Sequence, residues 1–219
     1  MPKIDLVIFD FDGTLVDTAP DIVRATNLFL QSKGLEPLTE ARIRSEIGLG
    51  LKKLILELYP EDQITPALEQ SVYDEFTAIY EKEFLQSPRL FDGAYEFLTE
   101  WEGQIAIVSN KRMRFIEPIL RHLSLDSLPW VKVIGGDTFT NMKPHPEPFM
   151  AAIAAADCSP EETLIVGDGI PDVQGAQAIG SLCVAVDFGY HSSQHLLELG
   201  AWKNLPSFSD LRTLIASIT

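Results

Sequence analysis

Short apolar runs of β-forming residues most constrain how this chain can fold. They show no alternation of polar and apolar side chains, which is typical of strands buried on both faces of a parallel sheet. The runs are residues 4–9, 105–108, 131–134, 164–166 and 182–186. Segments with helical spacing separate most of them, at residues 94–101, 114–123, 147–156 and 172–179. Strands that alternate with helices predict an α/β fold with a doubly wound parallel sheet.

One long interval interrupts this alternation. Residues 10–104 separate the first run from the second, whereas βα connections usually take about 2–6 residues. The interval has its own helix signals. They are a start at Asp17-Thr18-Ala19-Pro20, a stop at Gly34, a second start at Thr65-Pro66, and a third helix over residues 51–59 that Pro60 ends.

The interval could be a helical layer on the sheet or an inserted helical subdomain. We favour the second interpretation, because the interval is far longer than a usual connection and carries helix signals of its own. It predicts a helical domain at residues 17–88, inserted into a core made of residues 1–16 and 89–219.

The net charge of the chain argues against some classes of binding partner. There are 17 Lys and Arg residues against 32 Asp and Glu, so the formal net charge is −15. A field of this sign repels nucleic acid and anionic membranes, and we expect neither as a partner. It repels phosphorylated metabolites as well. An anion-binding site in this chain must therefore be built locally, from a metal, a lysine or helix N-termini.

Other features of the sequence indicate the cellular compartment of the protein. Cys158 and Cys183 do not form a CxxC pair and are typical of a protein with reduced thiols. The N-terminal residues lead directly into the first apolar run, without the apolar region and cleavage site of a signal peptide. No apolar run approaches the roughly 20 residues that span a bilayer. We therefore expect a cytoplasmic protein.

The first apolar run ends in a motif of chemically active residues, Phe9-Asp10-Phe11-Asp12-Gly13-Thr14. Ligands of open α/β sheets bind outside the carboxyl ends of the strands. Asp10 and Asp12 are two positions apart, so both can point into one crevice, and Gly13 allows a sharp turn beside them. An acidic turn that caps a helix is the alternative, but the combination of residues favours a functional site.

Two later runs also end in polar residues. Ser109-Asn110-Lys111 follows residues 105–108, and a segment with Asp168 and Asp172 follows residues 164–166. Taken alone, Ser109 could be a helix cap and the two aspartates a capped turn. Placed beside Asp10 and Asp12, however, Asp168 and Asp172 would bring the number of carboxylates in one crevice to four. These can all stay ionised only with a cation among them, and ligands that are all oxygen suit Mg²⁺.

A single lysine, Lys143, lies in the proline-rich segment Lys143-Pro144-His145-Pro146-Glu147-Pro148. Most lysines in loops are solvated, but the prolines make this approach to the next helix stiff and fix the position of the ammonium group. A cluster of carboxylates that holds a phosphoryl group needs such a cation.

Together, these motifs resemble the four ordered motifs of the haloacid dehalogenase-like hydrolase superfamily. They are Asp10-Phe11-Asp12-Gly13-Thr14, Ser109, Lys143-Pro144, and Gly167-Asp168 with Asp172. The helical insertion resembles the first type of cap domain in that superfamily. The first motif and the segment after Lys143 are most similar to the phosphoglycolate phosphatase-like branch. The resemblance implies a Rossmann-like core and a phosphatase that acts on a small phosphorylated metabolite.

The resemblance also implies roles for individual residues. Asp10 is expected to attack phosphorus and form an aspartyl-phosphate, and Asp12 to act as general acid and then general base. Substrate-binding positions would include Gly13, Thr14, Ser109, Asn110 and Lys143. Mg²⁺ would be held by Asp10, the Asp12 carbonyl and Asp168. Asp172 would orient a metal-bound water or Lys143.

Several alternatives remain open at this point. The same scaffold could carry a phosphosugar mutase, a pyrophosphatase or a phosphonate hydrolase, or it could bind a partner without catalysis. Asp12 argues for phosphate chemistry, since the dehalogenase members lack this second aspartate. Substrate choice is expected in the inserted domain, where residues 48–53 form a Gly- and Lys-containing segment. His145 could support the Lys143 segment, whereas His122, His191 and His195 are interpreted as surface residues.

Overall fold

The computed structural model describes residues 3–48, 55–59 and 64–218. The chain divides into two compact units. Unit 1 comprises Met1–Asp17 and Arg89–Thr219, and unit 2 comprises Thr18–Pro88.

Unit 1 is built on a parallel sheet with the strand order β5-β4-β1-β6-β7-β8. Its strands are β1 (Leu6–Phe9), β4 (Gln104–Val108), β5 (Trp130–Ile134), β6 (Thr163–Gly167), β7 (Leu182–Val186) and β8 (Lys203–Leu205). A separate antiparallel pair consists of β2 (Val16–Asp17) and β3 (Arg89–Leu90). The predicted parallel α/β fold is confirmed.

Helices connect these strands. Unit 2 contains α1 (Ala19–Ser32), α2 (Glu40–Arg44) and α3 (Pro66–Glu83). Unit 1 contains α4 (Ala94–Glu100), α5 (Met113–His122), α6 (Pro146–Ala156), α7 (Ile170–Ile179), α8 (Ser193–Glu198) and α9 (Leu211–Ala216). Among the residues with described placement, no helix is both long and apolar enough to cross a membrane.

The central strand β1 is buried along its whole length, and its side chains alternate between two apolar layers. Leu6 and Ile8 belong to the layer that contains Phe149 of α6. On the other side, the ring of Phe9 lies 5.8 Å from that of Phe97 in α4. Each fully buried side chain of this size contributes roughly 1.5–3 kcal/mol. The core therefore fixes the carboxyl end of β1 firmly in place.

The outer strands differ from the sequence-based expectation. β5 lies at an edge of the sheet and is largely half-buried rather than covered on both faces. At the other edge, β8 was not predicted because Lys203 and Asn204 are polar and exposed, so no apolar run marks it. The short helices α8 and α9 were also missed, since each has only 6 residues and too few positions to show helical spacing.

The pair β2–β3 marks where the chain passes between the two units. Val16 pairs with Leu90, and Asp17 pairs with Arg89. Asp17 and Arg89 also form an ion pair of 3.0 Å. The segments that leave and re-enter unit 1 are therefore adjacent.

Unit 2 has its own apolar cluster. Phe29 and Leu30 of α1 and Val72 of α3 are buried in it, together with Ile55 and Leu56. The predicted start of α3 is confirmed, because the Thr65 side chain accepts a hydrogen bond of 3.2 Å from the Leu68 amide and Pro66 follows it. Gly34, with φ +68°, follows the end of α1 as predicted. Of the helix predicted at residues 51–59, residues 51–54 lie outside the described residues and residues 55–56 are helical. The segment at residues 48–53, where substrate choice is expected, also lies outside the described residues except for Gly48.

Candidate active site

Three neighbouring strands bring their polar ends to one edge of the sheet. β1 lies between β4 and β6, and all three run in parallel. Their carboxyl ends lead into Asp10, Ser109 and Asp168 respectively. The sheet topology therefore places the predicted site residues of these three loops side by side.

Lys143 connects two of the aspartates. Its Nζ lies 2.9 Å from Asp10 Oδ1 and 2.7 Å from Asp172 Oδ1, and its side chain is only 1% exposed. The segment that contains Lys143 is anchored to the loop after β4, because the Asn110 side-chain amide donates a hydrogen bond of 3.1 Å to the Lys143 carbonyl oxygen. At the other end, the His145 side chain accepts a hydrogen bond from the Glu147 amide and caps α6. The predicted supporting position of His145 is confirmed.

Lys143, Asp10 and Asp172 form a trio in which the pKa values of Lys143 and Asp172 depend on the charges of their neighbours. Burial disfavours the charged form of Lys143, but the negative charges of Asp10 and Asp172 outweigh it and raise the pKa of Lys143. Burial raises the pKa of Asp172, and the negative charge of Asp10 adds to this rise, while Lys143 opposes it. Lys143 is therefore a permanent cation, and it offsets two carboxylates that would otherwise repel each other.

Asp12 has a lysine partner of its own. Lys111 Nζ lies 3.0 Å from Asp12 Oδ1 and 3.2 Å from Oδ2, so it contacts both carboxylate oxygens. The Lys111 side chain is 5% exposed. Its backbone amide donates a hydrogen bond of 3.3 Å to Ser109 Oγ. The loop after β4 thus holds the Ser109 hydroxyl and a cation that fixes the orientation of Asp12.

Asp168 is buried and held by several groups. Thr14 Oγ1 donates to its Oδ1 at 3.1 Å, and the backbone amide of Tyr190 donates to its Oδ2 at 2.8 Å. Burial raises the pKa of Asp168, and the nearby charge of Asp10 raises it further. Gly13 has φ +80°, and a Cβ at Gly13 or at Gly189 would overlap the Asp168 carboxylate. Only glycine allows the backbone to approach so closely at these positions.

The carboxylates fit a divalent cation. Asp10, Asp168 and Asp172 each offer an oxygen atom, and these atoms lie within 4.8 Å of one another. The donors are all oxygen, which suits Mg²⁺ better than a softer metal. Gathered carboxylates also need an additional positive charge when all of them are ionised. The predicted ligand Asp12 would take part through its backbone carbonyl, since its side chain is engaged with Lys111.

The sequence interpretation of His191 was wrong. His191 is half-buried rather than at the surface, and its Nδ1 lies 3.0 Å from the Asp168 carbonyl oxygen and 3.7 Å from Asp168 Oδ2. Sequence reasoning also missed the contact of Tyr190 with Asp168. One signal could have found both residues, because they follow β7 at the same edge of the sheet as the other loops. His122 and His195 are exposed, as predicted.

Comparison with known proteins identifies the class to which this fold and site belong. The family model described as "Haloacid dehalogenase-like hydrolase" matches residues 7–186. The chain belongs to this family, as predicted from its motifs. The match covers the motif after β1 as well as the loops that carry Ser109, Lys143, Asp168 and Asp172.

Its relatives define the group more closely. The chain is 32% identical to a phosphoglycolate phosphatase of Nitrosospira multiformis, over 97% of this chain and 96% of the relative. It is also 32% identical to an N-acetylmuramic acid 6-phosphate phosphatase of Pseudomonas aeruginosa, over 91% and 89% of the two chains. The crystal structure of a predicted phosphoglycolate phosphatase from Haemophilus somnus has a TM-score of 0.87 at 25% identity and covers 98% of this chain and 99% of its own. The predicted enzyme class, a phosphatase of this family, is confirmed by these relatives.

Proposed function

We propose that this protein is a Mg²⁺-dependent phosphatase that hydrolyses a small phosphate monoester through an aspartyl-phosphate on Asp10. The observation that supports it most is the position of Asp10 at the end of the central strand, in contact with Lys143 and close to Asp168 and Asp172. Such a carboxylate has a cation beside it to offset charge, and the acid–base group Asp12 lies two residues away.

In the first step, a carboxylate oxygen of Asp10 attacks phosphorus, and the bond from phosphorus to the ester oxygen breaks. Asp12 donates a proton to the departing oxygen, so that the alcohol leaves as a neutral molecule. Two residues are suited to assist at the phosphoryl group. Lys143 offsets its negative charge together with that of Asp10, and the Ser109 hydroxyl donates a hydrogen bond to a phosphoryl oxygen.

In the second step, Asp12 takes a proton from water. The oxygen of that water attacks phosphorus, the bond between phosphorus and Asp10 breaks, and inorganic phosphate leaves while Asp10 returns as a carboxylate. The bidentate contact with Lys111 suits Asp12 for both steps, because it fixes the direction in which the carboxylate points.

The metal would be held by Asp10, the Asp12 carbonyl and Asp168. Asp172 would keep its contact of 2.7 Å with Lys143 Nζ and so hold the ammonium group in position. When bound, Mg²⁺ supplies positive charge that neutralises the phosphoryl oxygens and helps align them. In a chain with a net charge of −15, a cation held by these residues would also relieve the repulsion among the carboxylates and so favour the approach of an anionic substrate.

Two substrates are the leading candidates. Phosphoglycolate and N-acetylmuramic acid 6-phosphate are the substrates named for relatives of equal identity, 32% in both cases. Both compounds are phosphate monoesters that also carry a carboxylate, but the second is much larger. We place the choice between them in residues 18–88, because this insertion directly follows the catalytic motif and forms a compact unit of its own.

The test is a measurement of phosphate release from both candidates and from p-nitrophenyl phosphate, with Mg²⁺ and with excess chelator. The matched control is Asp10→Asn, which keeps the shape of the side chain but removes the nucleophile. We expect hydrolysis only with Mg²⁺ and less than about 1% residual activity in Asp10→Asn, since a nucleophile contributes many orders of magnitude. Turnover in chelator, or an active Asp10→Asn protein, would contradict the proposal.

A further inference from the structure

A tyrosine links the proposed metal ligand Asp168 to the strands where the chain passes into residues 18–88. The backbone amide of Tyr190 donates a hydrogen bond of 2.8 Å to Asp168 Oδ2. The phenol of the same residue donates one of 3.1 Å to Asp17 Oδ1. Asp17 lies in β2 and pairs with Arg89 in β3. Tyr190 thus contacts Asp168 with its backbone amide and β2 with its side-chain hydroxyl.

Both ends of this link are buried. The Asp17 side chain is 4% exposed, whereas its ion-pair partner Arg89 is 74% exposed. The bond from Tyr190 reaches the other oxygen of this buried carboxylate, and it fixes the residue that precedes His191.

Asp168 has reason to need such a fixed neighbour. It is buried, and one of its carboxylate oxygens lies within 4.8 Å of oxygen atoms of Asp10 and Asp172. Ionised carboxylates at this distance repel each other, so the position of Asp168 depends on the groups that hold it. Its carboxylate is confined by Thr14 on one oxygen and Tyr190 on the other. A Tyr190 backbone that moved would release one of these two contacts.

We propose that Tyr190 is a positioning residue whose hydroxyl bond to Asp17 holds Asp168 in the arrangement that binds the divalent cation. The proposal rests on the proposed function in that Asp168 is a metal ligand. Groups that orient metal ligands typically affect metal affinity by about 10–100-fold. Because the hydroxyl acts through the backbone of its own residue, we expect the lower end of that range.

The test compares Tyr190→Phe with the control Tyr95→Phe in the full chain. Tyr95 is an exposed residue of α4, and both substitutions remove a single hydroxyl. Mg²⁺ binding is measured by calorimetry without substrate, and thermal stability is measured without Mg²⁺. We expect about tenfold weaker Mg²⁺ binding in Tyr190→Phe, with wild-type affinity in Tyr95→Phe. Unchanged Mg²⁺ affinity in Tyr190→Phe would overturn the proposal.

A double-mutant cycle tests the connection to Asp17. Asp17→Leu removes the acceptor at similar volume. If the hydroxyl acts through Asp17, the double variant binds Mg²⁺ no more weakly than the worse single variant. Losses that multiply would overturn the link. If Asp17→Leu does not fold, the comparison of Tyr190→Phe with Tyr95→Phe decides alone.

These measurements separate the inference from the proposed function. A wild-type protein that binds Mg²⁺ but hydrolyses no phosphate ester refutes the proposed function and leaves the coupling measurable. An active phosphatase whose Tyr190→Phe variant binds Mg²⁺ normally refutes only the role of Tyr190.

Discussion

Replacing Lys143 by Met should destabilise the protein and abolish its activity together. Lys143 lies 2.9 Å from Asp10 and 2.7 Å from Asp172, and its side chain is almost completely buried. At an effective dielectric constant near 20, each contact corresponds to about 6 kcal/mol of attraction, most of which offsets the cost of burial. Removing one partner leaves the carboxylates uncompensated, and such changes cost about 3–5 kcal/mol.

The measurement is chemical and thermal unfolding of Lys143→Met in the absence of divalent cations. In a chain of this size, about 3–5 kcal/mol lowers the melting temperature by roughly 6–20 °C. The matched control is Lys132→Met, which removes an exposed lysine from the edge strand β5 and should change the free energy of unfolding by less than about 0.5 kcal/mol.

Adding Mg²⁺ gives a second readout. A cation among the carboxylates replaces part of the lost charge, so Mg²⁺ should raise the melting temperature of Lys143→Met more than that of the wild type. Catalytic activity should not return with it, because the metal does not replace the ammonium beside Asp10; we expect a loss of at least about 100-fold in kcat. If Lys143→Met unfolds within about 1 kcal/mol of Lys132→Met, our account of the trio is wrong.

Two further predictions concern the metal and the inserted residues. Asp168→Ala should weaken Mg²⁺ binding by at least about tenfold and remove most activity, measured by calorimetry and by phosphate release; wild-type affinity would exclude Asp168 as a ligand. Leu49→Ala and Lys52→Ala should change the ratio of activities on phosphoglycolate and N-acetylmuramic acid 6-phosphate more than activity on p-nitrophenyl phosphate. A uniform factor on all three substrates would show that this segment does not select substrate.

The sequence predicted the part of the site that depends on strand ends. Asp10, Asp12 and Asp168 follow apolar runs, and parallel strands bring their carboxyl ends to one edge, so their proximity could be derived before any coordinates. The position of Lys143 was also accessible, because prolines stiffen the segment around it. These features are local in sequence or follow from the regular geometry of the sheet.

The remaining parts of the site depend on contacts that leave no local pattern. Lys111 is a flexible side chain, and its pairing with Asp12 arises only when β4 lies beside β1. Tyr190 holds Asp168 through its backbone amide, which every residue except proline possesses, so its position after β7 gives a signal but its residue type does not. His191 is half-buried because the segment after β7 lies against Asp168, and this contact is not visible in the sequence around His191.

The short pair β2–β3 has a consequence for how enzymes of this design can diversify. Val16 faces Leu90 and Asp17 faces Arg89, so the inserted residues begin and end on adjacent strands. Opposed residues of an antiparallel pair are about 4.5–5.5 Å apart. A replacement segment whose ends meet at that spacing would therefore meet the geometric requirement for insertion between Asp17 and Arg89. If residues 18–88 select the substrate, as we propose, recombination at these two points would exchange one specificity for another in a single event, while Asp10 and its partners are inherited intact.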